Sequence, residues 1–265
     1  MPLERTSQQA FLAVTALLFV ASAAATIAWC TSMSAMGELP MPGGWSMSMM
    51  WTRMPGQTWP GVAASFLGMW IVMMVAMMLP SIVPVLWRYR QTVGRAGTTH
   101  AGWLTALVGA GYFFVWTLLG AAVFPLGAAL SAIAMREPVL SRAAPISIGA
   151  VVLIAGALHL TTWKARRVAF CWEARGSGRA LSSAAGTAWR YGVCLGLHCG
   201  YTCAGLMAIL LVVGVMDLRV MAVVTAAITG ERLAPSGLRV AQAIAVVIVG
   251  AGLLLTAHAV GARFG

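Results

Sequence analysis

In YGVCLGLHCGYTCAGLM, residues 191–207, two thiols and a thioether recur every fourth residue: Cys199, Cys203 and Met207. Four residues of α-helix advance the side-chain direction by about 40°, so the three sulfurs share a stripe about 80° wide. His198 flanks it. Two thiolates supported by a thioether or an imidazole form a low-coordinate site for a soft ion, and such ligands select Cu(I) among biological metals. A structural zinc site would need four strong ligands, and the spacing differs from the CxxC of dithiol redox motifs. Free cysteine is also a common small apolar core residue, the simpler account of Cys30 and Cys194 taken singly.

A second sulfur-rich stretch, MWIVMMVAMMLPS at 69–81, holds Met69, Met73, Met74, Met77 and Met78. On a helix Met69, Met73 and Met77 share a stripe of about 80°, and Met74 with Met78 widens it to about 180°. Methionine fills irregular gaps in cores and is also a soft donor, so the stretch leaves both roles open. The segment TSMSAMGELPMPGGWSMSMMWTRMPG carries more, including Met47, Met49 and Met50. Its Pro, Gly and polar residues predict a solvated loop, where packing gives little reason to prefer methionine. Thioethers also remain ligands in oxidising surroundings that turn thiol pairs into disulfides. The competing account is an interfacial loop whose Met and Trp rest on a bilayer surface.

The elements that must carry these sulfurs follow from composition. The 265 residues are 60% hydrophobic and 9% charged, with a mean hydropathy of +0.88, far from the roughly one quarter of charged residues in soluble domains. Apolar runs long enough for a hydrocarbon core of about 30 Å fall near 11–29, 62–87, 103–129, 145–163, 191–216 and 240–260, with a shorter one at 218–230. None alternates as a barrel strand would, so backbone polar groups must be satisfied within helices. The predicted class is an all-α polytopic transmembrane bundle of six to seven spans. Residues 1–61 are expected to form a retained anchor and an external Met-rich loop, and residues 62–265 the metal-binding bundle. The run at 11–29 is longer than the apolar region of about 7 to 15 residues in a secretory signal.

The net charge of +11 concentrates in two places. Arg88, Arg90 and Arg95 fill one connection, and Lys164, Arg166, Arg167, Arg175, Arg179 and Arg190 another. The positive-inside rule puts both in the cytoplasm, with the amino terminus, and puts 30–61 outside. The charge therefore reports topology and contact with membrane lipid; no aromatic-basic motif points to nucleic acid. No phosphate loop, nucleophile elbow or HExxH zinc motif is present, and no acid/base pair stands out within the spans, so an enzyme is not expected. His159 lies near the inner end of the fourth span, where it and Cys171 are candidates to assist on the cytoplasmic side. Asp217, Arg219, Glu231 and Arg232 bracket the short run and suit membrane interfaces. Gly192, Gly196 and Gly200, continuing into Ala204, form a small-residue ladder that admits a second helix closely, and the Met73/Met77 stripe is the best-supplied candidate to meet it.

Three blocks, MWIVMMVAMMLPS, HLTTWKARRVAFC and LGLHCGYTCAGLMAILLVVGVMDLRVMAVVTAAITGERLAP, together resemble a bacterial family of predicted metal-binding integral membrane proteins, some described as copper chaperones. The resemblance covers about residues 60–258 and implies a metal-binding protein of the bacterial inner membrane. It includes Lys164 and Cys171. Members often pair two cysteines in the core block, whereas here Thr202 precedes Cys203, which shifts weight onto His198 or methionine. The combined expectation is a membrane protein that binds copper, as Cu(I), and relays or delivers it. Its partners would be lipid, the metal ion and a copper-donor or copper-acceptor protein. The alternatives are a membrane assembly factor for a metalloenzyme and a thiol-redox membrane enzyme using Cys199 and Cys203.

Overall fold

The computed structural model describes residues 2–35, 37–42, 45–53, 56–95, 100–160, 184–234 and 237–264; Lys164 and Cys171 lie outside them, as does the side chain of Met49. Among the described residues the elements are α1 (Pro2–Ala35), β1 (Glu38–Met41), β2 (Trp45–Ser48), α2 (Trp59–Arg95), α3 (Ala101–Arg136), α4 (Pro138–Leu160), α5 (Ala185–Val213), α6 (Leu218–Leu233) and α7 (Gly237–Phe264). All the helices except α6 are long and apolar enough to cross a membrane. The fold is the expected all-α bundle with six such helices, and its strands form one short antiparallel ribbon.

α2 lies at the centre: 50% of its most apolar window is buried, against 11% for α3 and for α7. Met69, Met73, Met74, Met77 and Met78 are all buried. Trp70 fastens α2 to α3 by donating its indole N–H to the Trp116 carbonyl at 2.9 Å. Pro80 and Pro84 interrupt the α2 ladder, because proline lacks the amide hydrogen that would reach the carbonyl four residues back. The Ser81 hydroxyl, one residue after Pro80, donates to the Met78 carbonyl at 2.8 Å.

The glycine ladder of α5 admits a helix closely, and that helix is α3. A methyl group on Gly192 would collide with the Val108 carbonyl, and one on Gly196 would stand 2.8 Å from the Tyr112 carbonyl. Gly111 on α3 returns the contact against the Trp189 carbonyl. The two helices run parallel, with Val108 opposite Gly192 and Leu119 opposite Gly200. The sequence pointed to the α2 methionine stripe instead. α3 prevails because small residues on both partners let the backbones touch, whereas α2 presents long thioethers that fill space between helix axes.

The ribbon corrects the second expectation. Met41, Met47 and Met50 are buried rather than solvated. The chain folds back onto the ends of α3 and α4: the Trp45 indole donates to the Ser141 carbonyl at 2.9 Å, and Ser141 donates to the Pro42 carbonyl at 3.0 Å.

α5 ends at Gly214, whose φ of 152° favours glycine. Asp217 then caps α6 by accepting from the amides of Arg219 and Val220. At 16 residues, α6 is about 24 Å long, short of a hydrocarbon core of about 30 Å. It turns back along α5 from the ribbon end only as far as Cys203, where Arg232 meets that residue. α7 then packs antiparallel to α4, with Thr256 against Gly149 and Val249 against Gly156. Its carboxyl end therefore points to the ribbon side.

Two predictions follow from this packing. Gly192→Ala should lower the thermal midpoint of the detergent-purified protein, at a cost of about 1–3 kcal/mol for overpacking, while Gly250→Ala, which meets nothing within 4 Å, should not. Single cysteines at Ser46 and His258 should label from the same membrane face with an impermeant thiol reagent, and one at Gly94 from the opposite face; labelling of Ser46 and His258 from opposite faces would contradict the antiparallel packing of α7 on α4.

Candidate metal centre

Cys199 and Cys203 project from the middle of α5 into the bundle, both buried, with their sulfurs 3.9 Å apart. Met78 reaches the same point from α2, its Sδ 3.9 Å from Cys199 Sγ. From α3, the Tyr112 hydroxyl donates to Cys199 Sγ at 2.8 Å. Three helices thus converge on one thiol, and the α3–α5 backbone contact puts the phenol within reach.

On the other side of Cys203 the environment is charged. Arg232, from the end of α6, approaches Cys203 Sγ at 3.7 Å and donates to the Thr202 hydroxyl at 3.4 Å. Thr202 in turn donates to the carbonyls of His198 and Cys199 at 3.0 and 3.1 Å. Beside this group Glu231 pairs with His159, Oε1 to Nε2 at 2.7 Å, with both side chains mostly enclosed. The sequence suited Glu231 and Arg232 to an interface; the structure encloses them against His159, Thr202 and Cys203.

The structure sorts the remaining candidates by place. Met207 is buried one turn beyond Cys203 on the same stripe. Met69, Met73, Met74 and Met77 belong to the core that surrounds the thiols, while Met78 brings its sulfur to 3.9 Å from Cys199. Met47 and Met50 lie with the ribbon and the short 3₁₀ turn Met49–Trp51, away from the thiols. His198 is half-buried on the adjacent face of α5. Among the described residues no group of three His, Cys, Asp or Glu side chains is placed to hold a metal ion, so His198 does not complete such a set with the two thiols. The donors gathered here are soft: two thiols and a thioether.

A family model described as copper chaperone, PpoB2, matches residues 67–255. The chain belongs to that family. The matched part contains Met78, Tyr112, His159, Cys199, Cys203, Glu231 and Arg232, and leaves out α1 and the ribbon. No curated protein and no solved structure matches significantly. The family's description makes copper the expected cargo, and a soft donor set suits it.

Sequence reasoning missed Tyr112 and Arg232. Nothing near Tyr112 separates it from the other aromatics of α3, but Gly111 beside it signals a close helix approach. Arg232 lies in the quoted block ending TGERLAP, where a charge at the end of an apolar run too short to cross the membrane was the available clue.

Burial makes a direct prediction. A lipid-permeant maleimide should modify the exposed Cys194 in the folded protein and leave Cys199 and Cys203 unmodified until the protein is denatured, as checked by peptide mass mapping. Prompt modification of all three would contradict the enclosed pair.

Proposed function

We propose that this is a membrane copper chaperone that carries Cu(I) as cargo on Cys199 and Cys203, with Met78 as the supporting third sulfur. The observation that carries the reading is the spacing of the sulfurs. With metal–thiolate bonds of about 2.3 Å, two sulfurs 3.9 Å apart subtend an angle of about 115° at one ion, close to trigonal. Met78, 3.9 Å from Cys199, supplies a third donor at the same spacing. Each thiol gives up its proton when it binds. A Cu(I) held by two thiolates then carries one net negative charge, which the Arg232 guanidinium beside Cys203 offsets.

Delivery rather than storage is supported by the family description and by the chain of thioethers. Met69 to Met78 runs nine residues along α2, about 14 Å, and ends at the thiols. Met47 of the ribbon and Met49 and Met50 of the turn after it gather copper at the outer end. The arginine distribution orients that end away from the cytoplasm, in the inner membrane of a bacterium, and the recipient is an acceptor protein that takes copper from the bundle.

The test is Cu(I) binding by reduced, purified protein in competition with bicinchoninate, with X-ray absorption to identify ligands. Two or three short sulfur ligands are expected, and Cys199→Ser/Cys203→Ser should lose the tight ion while keeping its thermal midpoint. Undiminished affinity in that folded variant would defeat the assignment. Met73, Met74 and Met77 changed together to leucine should cost less than about 1.5 kcal/mol each yet slow copper-dependent growth; normal growth would make those three packing residues.

A further inference from the structure

Cys30 has an environment that its isolation in the sequence did not foretell. It is buried near the outer end of α1, with Sγ 3.8 Å from the Sδ of Met216 in the turn between α5 and α6, 186 positions along the chain. Two cavities flank this pair. One, of about 300 Å³, is lined by Met33, Met50, Met69 and Met216 together with loop residues Thr52 and Gln57. The other, of about 530 Å³, is lined by Cys30, Met33 and Met216 and by polar residues including Ser46, Asp217 and Arg219. Met33 and Met216 border both. One thiol and four thioethers from α1, the short turn after the ribbon, α2 and the α5–α6 turn thus surround two spaces at the ribbon end of the bundle.

We infer that Cys30 and Met216, with Met33 at the cavity wall, form a second Cu(I) site at the outer mouth, separate from the Cys199/Cys203 pair and upstream of it. The inference rests on the proposed function and adds the point at which cargo is first held. Thiolate and thioether donors are matched to Cu(I) and poorly matched to hard cations. Copper enters as Cu(I) and stays Cu(I): one Cu–S(thiolate) bond forms at Cys30 as its proton leaves to water, and the thioethers bind as neutral donors. A one-thiolate complex of Cu(I) is neutral, and the cavity beside Cys30 and Met216 is bordered by both Asp217 and Arg219. The inner pair offers two thiolates against one, so its hold on copper is the stronger. Met69 lines the first cavity and begins the α2 methionine series that ends at Met78 against Cys199. The gradient from one thiolate to two gives transfer its direction.

The experiment counts Cu(I) retained by the full-length reduced protein at a bicinchoninate concentration that strips sites made of thioethers alone. The unaltered protein should hold two ions, Cys199→Ser/Cys203→Ser one, Cys30→Ser/Met216→Leu one, and the fourfold variant none. The ion kept by Cys30→Ser/Met216→Leu also shows that this variant is folded. A protein that holds one ion, lost in Cys199→Ser/Cys203→Ser and kept in Cys30→Ser/Met216→Leu, would overturn the outer site and leave the inner one standing. Two ions kept by Cys30→Ser/Met216→Leu, or both lost from it, would overturn it as well. No ion in the unaltered protein would refute the copper-carrying reading itself.

Discussion

The close contact of α3 with α5 is the constraint on which the rest of the site depends. Inside a membrane, apolar side chains gain nothing by leaving lipid for one another, so helices associate through van der Waals fit and interhelical polar bonds. Gly111, Gly192 and Gly196 supply that fit by removing the atoms that would hold the two backbones apart. With the axes this close, Tyr112 reaches Cys199, and the sulfur-bearing face of α5 is turned toward α2 and α6. A wider crossing would leave the phenol short of the thiol and open a gap that α2's thioethers do not fill.

A second constraint comes from charge. Glu231, Arg232 and His159 sit in a bundle whose outer surface is mostly leucine, valine and other apolar side chains. Charges in such a place need partners, and each has one: His159 for Glu231, Thr202 and Cys203 for Arg232. α6 carries Glu231 and Arg232 to them from the ribbon end, where Asp217 starts the helix by capping its first amides. The same geometry sets the direction of α7.

The methionines of α2 serve packing and donation together. Their flexible side chains fill the interior of the central helix's surroundings, and the one at the end of the series touches a thiol. Stability measurements alone therefore do not separate the roles, since leucine fills nearly the same volume. Only a property that needs the sulfur lone pair does.

Much of this was legible in the sequence. The length and spacing of the apolar runs determined an all-α membrane bundle, because lipid leaves backbone groups no partner outside their own helix. The interval of four between Cys199 and Cys203 determined that their sulfurs share one helix face, and the glycine ladder determined that something would approach that helix. Which helix approached was decided by the tertiary structure: small-on-small contact needs a complementary surface, which lies on α3, and periodicity within one segment carries no information about its neighbour. Tyr112 at Cys199, Arg232 at Cys203 and Met216 at Cys30 are likewise meetings between residues at least 29 positions apart. The burial of the ribbon methionines also lay beyond the sequence, because Pro, Gly and polar residues specify turns and leave open whether those turns fold back onto the ends of α3 and α4. A sequence fixes which face of a helix bears sulfur; only the packing of the whole chain decides what that sulfur meets.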